Sequence, residues 1–262
     1  MKKTFLTISI TAIITGLLLF SYSLYEPYTL KITHYELPSS ELKNLKIAFA
    51  ADFHLAPKET KRLNKIISTI NNEQPDIIIL GGDYMKGHTQ TATMPIEQIA
   101  QNLSHLYAPL GIFAVLGNHD NWYNKTEIIA ALEKHNITVL DNKNYRLKNL
   151  TLVGISDLSS DKPDFVKAFH NTTAPAILIT HSPDTFPESP KTLLTLAAHT
   201  HGGQINIPYI GSPVVPSKYG QRYHKGLIQE NDKTMIVTTG LGTSILPIRF
   251  NCPPEIVIIT FQ

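Results

Sequence analysis

Five short apolar runs in this chain each end in Asp, Asn or His. Residues 47–51 lead into Asp52-Phe53-His54, and residues 77–80 into Gly81-Gly82-Asp83. Residues 112–116 lead into Gly117-Asn118-His119-Asp120, residues 177–180 into His181, and residues 196–198 into His199-Thr200-His201. A run of this length bounded by Gly or Pro reads as a buried strand. In open α/β sheets, ligands gather at the carboxyl ends of strands. Residues far apart in the chain are therefore expected to meet in one polar cluster.

The segments between the runs carry helical spacing. Leu63, Ile66, Ile67 and Ile70 fall at i, i+3, i+4 and i+7. Ile96, Ile99, Ala100 and Leu103 repeat the pattern, and Ile128, Ile129 and Leu132 give a shorter version. Strands alternating with amphipathic helices define an α/β layering. Further short strands are expected at 152–155, 227–229, 235–238 and 256–261, as members of a second sheet. Glu230-Asn231-Asp232-Lys233 reads as a hairpin loop between two of them.

The donor set decides the chemistry. Asp52, Asp83, Asn118, His54, His181, His199 and His201 offer carboxylate, amide and imidazole groups. This mixture suits Mn, Fe, Zn or Co better than Ca or a thiolate-seeking ion. Seven donors exceed what one tetrahedral ion takes. Two ions sharing a carboxylate use them economically, clamp a phosphoryl group and supply a nucleophile at neutral pH. Each piece alone has an ordinary reading. D-x-H can be a polar strand end, with both side chains on one face through the period of two. Gly-Asp can be a turn, Asn118-His119-Asp120 a loop or helix cap, and His181 a core histidine. The specific signal is their joint order, each after a strand.

His34, His88, His105, His135, His170 and His224 read as ordinary, with His88 and His224 in loops that border the site. A formal net charge of +2 and no basic run beyond Lys61-Arg62 give no case for nucleic acid. The one cysteine, Cys252, allows no intrachain disulfide and reads as a small packed residue.

Residues 1–25 form a separate unit, with Met1-Lys2-Lys3 followed by an uncharged stretch over 4–25. Its length is near the ~20 residues that span a bilayer. A secretory signal and an uncleaved anchor both fit; the poor small-x-small site and two tyrosines at 21–25 favour the anchor. The two lysines favour a cytoplasmic N-terminus and an extracytoplasmic domain. Residues 26–44 read as a connection with a strand over 28–35, and 45–262 as the domain.

The ordered motifs D-x-H, G-D, G-N-H-D, H and H-x-H resemble those of the calcineurin-like metallophosphoesterases, over 45–262. One departure is visible: the glycine usual before the first His of G-H-x-H is Ala198. The resemblance implies a four-layer αββα sandwich and two divalent ions, Mn first. It assigns Asp52, His54, Asp83 and His201 to one ion, with Asp83 bridging to a second held by Asn118, His181 and His199. It makes His119 the group that assists the leaving oxygen and Asp120 the residue that orients the His119 imidazole. Tyr25-Glu26-Pro27, the stretch 198–204 and Arg249-Phe250-Asn251-Cys252-Pro253-Pro254-Glu255 further resemble a bacterial membrane-associated branch. That branch includes hydrolases of UDP-2,3-diacylglucosamine in lipid A synthesis, which implies a lipid-linked nucleotide substrate and a site at the cytoplasmic face. Apolar residues at 205–216 and Ile245-Leu246-Pro247-Ile248 would seat acyl chains or touch the bilayer, or else are ordinary strands and core loops. An extracytoplasmic phosphodiesterase or phosphatase, and a metal-binding adaptor without catalysis, are the other readings.

Overall fold

The computed structural model describes residues 2–87, 89, 91–172 and 175–262; His88 lies outside the described residues. The chain begins with α1 (Lys2–Tyr25), β1 (Lys31–Leu37), β2 (Lys46–Ala50), α2 (Thr60–Asn72) and β3 (Ile77–Leu80). It continues through α3 (Ile96–Leu103), β4 (Ile112–Ala114), α4 (Asn118–Lys134), β5 (Thr138–Val139), β6 (Lys143–Arg146) and β7 (Thr151–Gly154). It ends with α5 (Phe165–Ala168), β8 (Ala176–Ile179), β9 (Leu194–Ala197), β10 (Gly226–Glu230), β11 (Lys233–Val237) and β12 (Glu255–Phe261).

The strands form two six-stranded mixed sheets, in the orders β1-β12-β2-β3-β4-β5 and β10-β11-β9-β8-β7-β6. Successive side chains on a strand point to opposite faces, and this alternation builds the layers. Ile47 and Phe49 of β2, with Ile77 and Ile79 of β3, pack against Ile177, Ile179, Leu194, Leu196 and Ile236 of the other sheet. Ala48, Ala50, Ile78 and Leu80 point the other way and meet Leu63, Ile66, Ile67 and Ile70 of α2 and Ile99 and Leu103 of α3. On the outer face of the second sheet, Val153 and Leu178 pack on Ala168 of α5. The result is helix, sheet, sheet, helix, as the motif resemblance implied. Full burial of each such Ile, Leu or Phe contributes about 1.5–3 kcal/mol.

One strand differs from the sequence expectation. The C-terminal run was expected in the second sheet, but β12 lies inside the first, parallel to β1 and antiparallel to β2. The physical reason is its side-chain pattern. Ile256 and Ile258 bury among the helix-facing residues, while Val257, Ile259 and Phe261 bury between the sheets. A strand apolar on both faces belongs in a sheet interior. The segment 26–44 also does more than connect: β1 within it pairs along its whole length with β12.

α1 is long and apolar enough to cross a membrane, and little of it is buried. Its 24 residues, at about 1.5 Å each, extend about 36 Å, against about 30 Å of bilayer hydrocarbon. Its last turn is attached to the domain. The Arg249 N–H donates to Ser23 O at 2.9 Å, and the Tyr22 ring meets Phe250 edge-on at 6.1 Å.

Candidate metal centre

The expected ligands lie just beyond the strands, in turns rather than on extended backbone. β2 stops at Ala50, and Asp52 and His54 take φ of 53° and 41°. Asp83 has φ 54°, His199 69° and His201 52°. Left-handed backbone in a non-glycine residue costs of order 1–3 kcal/mol and gathers at functional sites. Asp52 and His54 therefore converge through a turn, not through the strand alternation expected from D-x-H. Asn118 opens α4, with Gly117 as its N-cap, so this motif is a helix start.

These turns bring Asp52, His54 and His201 into one group with donor atoms within 4.8 Å, and Asp83, His181 and His199 into another. His54, Asp83 and His119 form a third such group. Asp83 joins the first two. Its Oδ2 lies 3.4 Å from His54 Nε2 and 3.3 Å from His181 Nε2. The His54 and His201 Nε2 atoms face each other at 3.0 Å. Backbone carbonyls set two tautomers: His54 Nδ1–H donates to Met85 O at 3.1 Å, and His181 Nδ1–H to Gly81 O at 2.8 Å. Each then aims Nε2 into the cluster, as metal-bound imidazoles do.

Two buried oxygens at the same place, Asp52 Oδ2 and Asn118 Oδ1, have no hydrogen-bond partner. Orphaned buried acceptors are rare and costly, and a divalent cation satisfies them. The ligand set is also polarised toward a cation. Burial alone would raise the Asp83 carboxyl, but His181 and His54 outweigh it and hold it well below the usual carboxylate range. Burial would lower His181, yet Asp83 and Asp52 raise it well above an ordinary histidine. The pair thus holds a proton where a metal would supply positive charge. Burial pushes Asp52 up to about 7 despite His181, and drops His54 to about 3. His199 and His201 are also lowered, first by burial and then by neighbouring imidazoles. Neutral imidazoles are the ligating form.

His119 is half-buried; its backbone N–H donates to Asp83 Oδ1 at 2.9 Å, and its ring meets His54 edge-on at 4.6 Å. Asp120 differs from expectation. Its Oδ1 accepts from the Tyr84 and Met85 amides and its Oδ2 from those of Asp83 and Gly117. Both oxygens are saturated by backbone, so Asp120 fastens the β3 loop to the start of α4 instead of orienting the His119 imidazole. Gly117 is fixed by space: a Cβ there would collide with Asp83 Oδ1 and His181 Cε1. The His224 carbonyl accepts from Thr200 Oγ1, while its ring is tied to Gln221, so it borders the ligand loop through its backbone.

Three supporting groups escaped the sequence reading. Asp157, just past β7, is fully buried and bonds Ser159 and Ser160 through Oδ2; it is one more acid after an apolar run, a signal already in the pattern. Gly240, at φ 70°, packs against Asp52, where a Cβ would meet the carboxylate. Arg249 is fully buried and donates to the carbonyls of Thr239, Gly240, Gly242 and Cys252, which fixes that loop.

An αββα sandwich with carboxylates, an amide and imidazoles converging at its strand ends defines a metal-dependent hydrolase. The comparisons agree. Residues 45–203 match the calcineurin-like phosphoesterase family. The metallophosphoesterase YkuE of Bacillus subtilis is 30% identical over 93% of this chain and 90% of its own length. Phosphodiesterase YaeI of Escherichia coli is 31% identical over 82% of this chain and 81% of its own. UDP-2,3-diacylglucosamine pyrophosphatase LpxG of Chlamydia trachomatis is 26% identical over 89% and 90%. The chain belongs to the calcineurin-like phosphoesterases and is a phosphoester hydrolase.

Proposed function

We propose that this chain is a two-metal hydrolase of phosphodiester or pyrophosphate bonds in a lipid-linked substrate, with UDP-2,3-diacylglucosamine the first candidate. The observation that carries the two-metal reading is Asp83 Oδ2 standing between His54 Nε2 and His181 Nε2. Asp52, His54, Asp83 and His201 hold one ion; Asp83, Asn118, His181 and His199 hold the other. When bound, the ions supply Lewis-acid charge and a low pKa for water; manganese is the first choice, with iron, zinc or cobalt alternatives. The chain's residues do the rest. His119, with its backbone fixed to Asp83, gives a proton to the departing oxygen as the P–O bond breaks. Asp120 and Arg249 hold the loops so that this geometry is formed before substrate arrives. Pre-set donors of this kind need no rearrangement during reaction.

The lipid-linked substrate is supported by α1 as a membrane anchor and by the likeness to LpxG. A second reading has its own support. Lys2 and Lys3 favour an extracytoplasmic domain, where a phosphodiesterase acting on a soluble or envelope substrate would work, and YaeI carries the name phosphodiesterase. The deciding experiment is mass spectrometry of products after mixing full-length protein, detergent and Mn²⁺ with UDP-2,3-diacylglucosamine. Release of UMP and diacylglucosamine 1-phosphate, absent in Asp83→Ala, supports the first reading. Cleavage of a generic phosphodiester with no release from the lipid supports the second.

A further inference from the structure

Two loops beyond the metal ligands expose large apolar side chains. On the loop after His201, Tyr209 is fully exposed, Val214 76% and Ile210 67%. On the loop before Arg249, Ile245 is 95% exposed and Leu246 54%. Apolar residues scattered singly on a surface need no explanation, but a clustered exposed patch marks an interaction surface.

The loops are one structure. Gln204 ties them: its Nε2 donates to Leu246 O and Ile248 O, and its Oε1 accepts from the Ser244 amide. Phe250 completes the link, its N–H donating to Gln204 O and its carbonyl accepting from Asn206. The Tyr209-Ile210 tip is closed by paired hydrogen bonds between Ile207 and Gly211. Backbone groups in this network are bonded within the protein, which leaves side chains as the outward surface. The same Arg249-Phe250 junction receives the end of α1, through Ser23 O and the Tyr22 ring. The apolar loops therefore continue from the point where the exposed apolar helix leaves the domain.

We propose that these loops are a membrane-docking face: Tyr209, Ile210, Val214, Ile245 and Leu246 enter the lipid interface beside α1 and hold the metal centre at the bilayer surface. The occupant is a lipid bilayer because the face is continuous with a helix long enough to span one. Its residues also fit the role. Tyrosine favours the headgroup level and branched aliphatics the acyl boundary. The ligand loop itself opens this face. Ser212 Oγ donates to Gly202 O, and Cys252 Sγ to His201 O. A phosphate group carried by a lipid would thus reach the ligands without its chains leaving the membrane. The proposal rests on α1 as a span; it holds for either side of the membrane.

The test uses the full-length chain in vesicles of phosphatidylethanolamine and phosphatidylglycerol. An environment-sensitive dye is attached singly to Tyr209→Cys, Ile245→Cys, Leu17→Cys and Val166→Cys, with circular dichroism confirming an unchanged fold. The parent chain is the blank, since its Cys252 is buried. Leu17 lies in mid α1, and Val166 is an exposed apolar residue on α5. The expected result is a blue shift and quenching by lipid-borne nitroxides at 209, 245 and 17, and neither at 166. Quenching at 17 with 209 and 245 as water-exposed as 166 would overturn the docking face and keep the anchor. No quenching at 17 would overturn both. None of these readouts depends on hydrolytic activity, so failure here is separate from failure of the proposed reaction.

Discussion

Asp83 Oδ2 stands between His54 of one ligand group and His181 of the other, so its loss cannot be confined to one ion. In Asp83→Ala, metal analysis of purified protein should find both ions lost, and turnover should vanish. His119→Ala should keep the metal content and lose activity by about 10²–10⁴-fold, the usual worth of a general acid. Full activity in His119→Ala would remove that residue from the reaction. Protons give a second test. In metal-stripped protein His181 is held protonated by Asp83 and Asp52, and Asp52 itself titrates near about 7. A metal needs both groups deprotonated. Affinity should therefore fall as pH drops from about 8 to 6, by up to about tenfold per unit for each proton displaced. Calorimetry in two buffers of different ionisation enthalpy measures the release directly; a buffer-independent heat would contradict it. The ligand identities were legible because D-x-H, G-D, G-N-H-D and H-x-H are local patterns. The left-handed backbone that aims Asp52, His54, Asp83, His199 and His201 was not, since Asp and His take either hand and the surrounding fold decides which.

At the scale of elements, Arg249 makes most of the side-chain hydrogen bonds to the carbonyls of loop 239–242, with Arg62 adding one to Leu241 O. Arg249 donates to four backbone carbonyls there and at Cys252, within 2.5–3.2 Å. Each acceptor left unsatisfied in a buried setting costs about 1–3 kcal/mol. Entering water would cover part of that, so Arg249→Ala should lose about 3–5 kcal/mol, read as a lower urea midpoint. Arg249→Lys should not restore it, because an ammonium lacks the planar fork; a lysine variant as stable as the parent would refute this account. The loop also carries Gly240 against Asp52, so metal affinity should fall with stability. Nothing local in the sequence announces this role: an arginine between apolar residues reads equally as surface. The same limit explains β12. Its run was legible as a strand, but the choice of sheet depended on a gap between β1 and β2 that exists only in three dimensions. α2 and α3 were legible because their apolar spacing is intrinsic to the helix period, and α4 only in its second half. Its first turn carries Asn118, His119 and Asp120, and its backbone breaks at Asn124.

For the whole molecule, the ligands come from both sheets. Asp52, Asp83 and Asn118 follow strands of the first, and His181 and His199 follow strands of the second. Bound metal would therefore cross-link the two layers at one end of the inter-sheet core. An ion that binds the folded but not the unfolded chain adds RT ln(1 + [L]/Kd), about 2.7 kcal/mol at a hundredfold excess over Kd. For a chain of this size each kcal/mol moves Tm by about 2–4 °C, so chelation should lower Tm by about 5–10 °C. Re-adding Mn²⁺ should reverse the loss. The variant Asp83→Ala separates this effect from any general action of the chelator. Without the bridging carboxylate, its Tm should respond to neither chelator nor metal. An equal chelator shift in parent and variant would mean that the ion is not held where the two sheets meet. A parent Tm indifferent to metal would mean that the ligand cluster contributes nothing to holding the layers together.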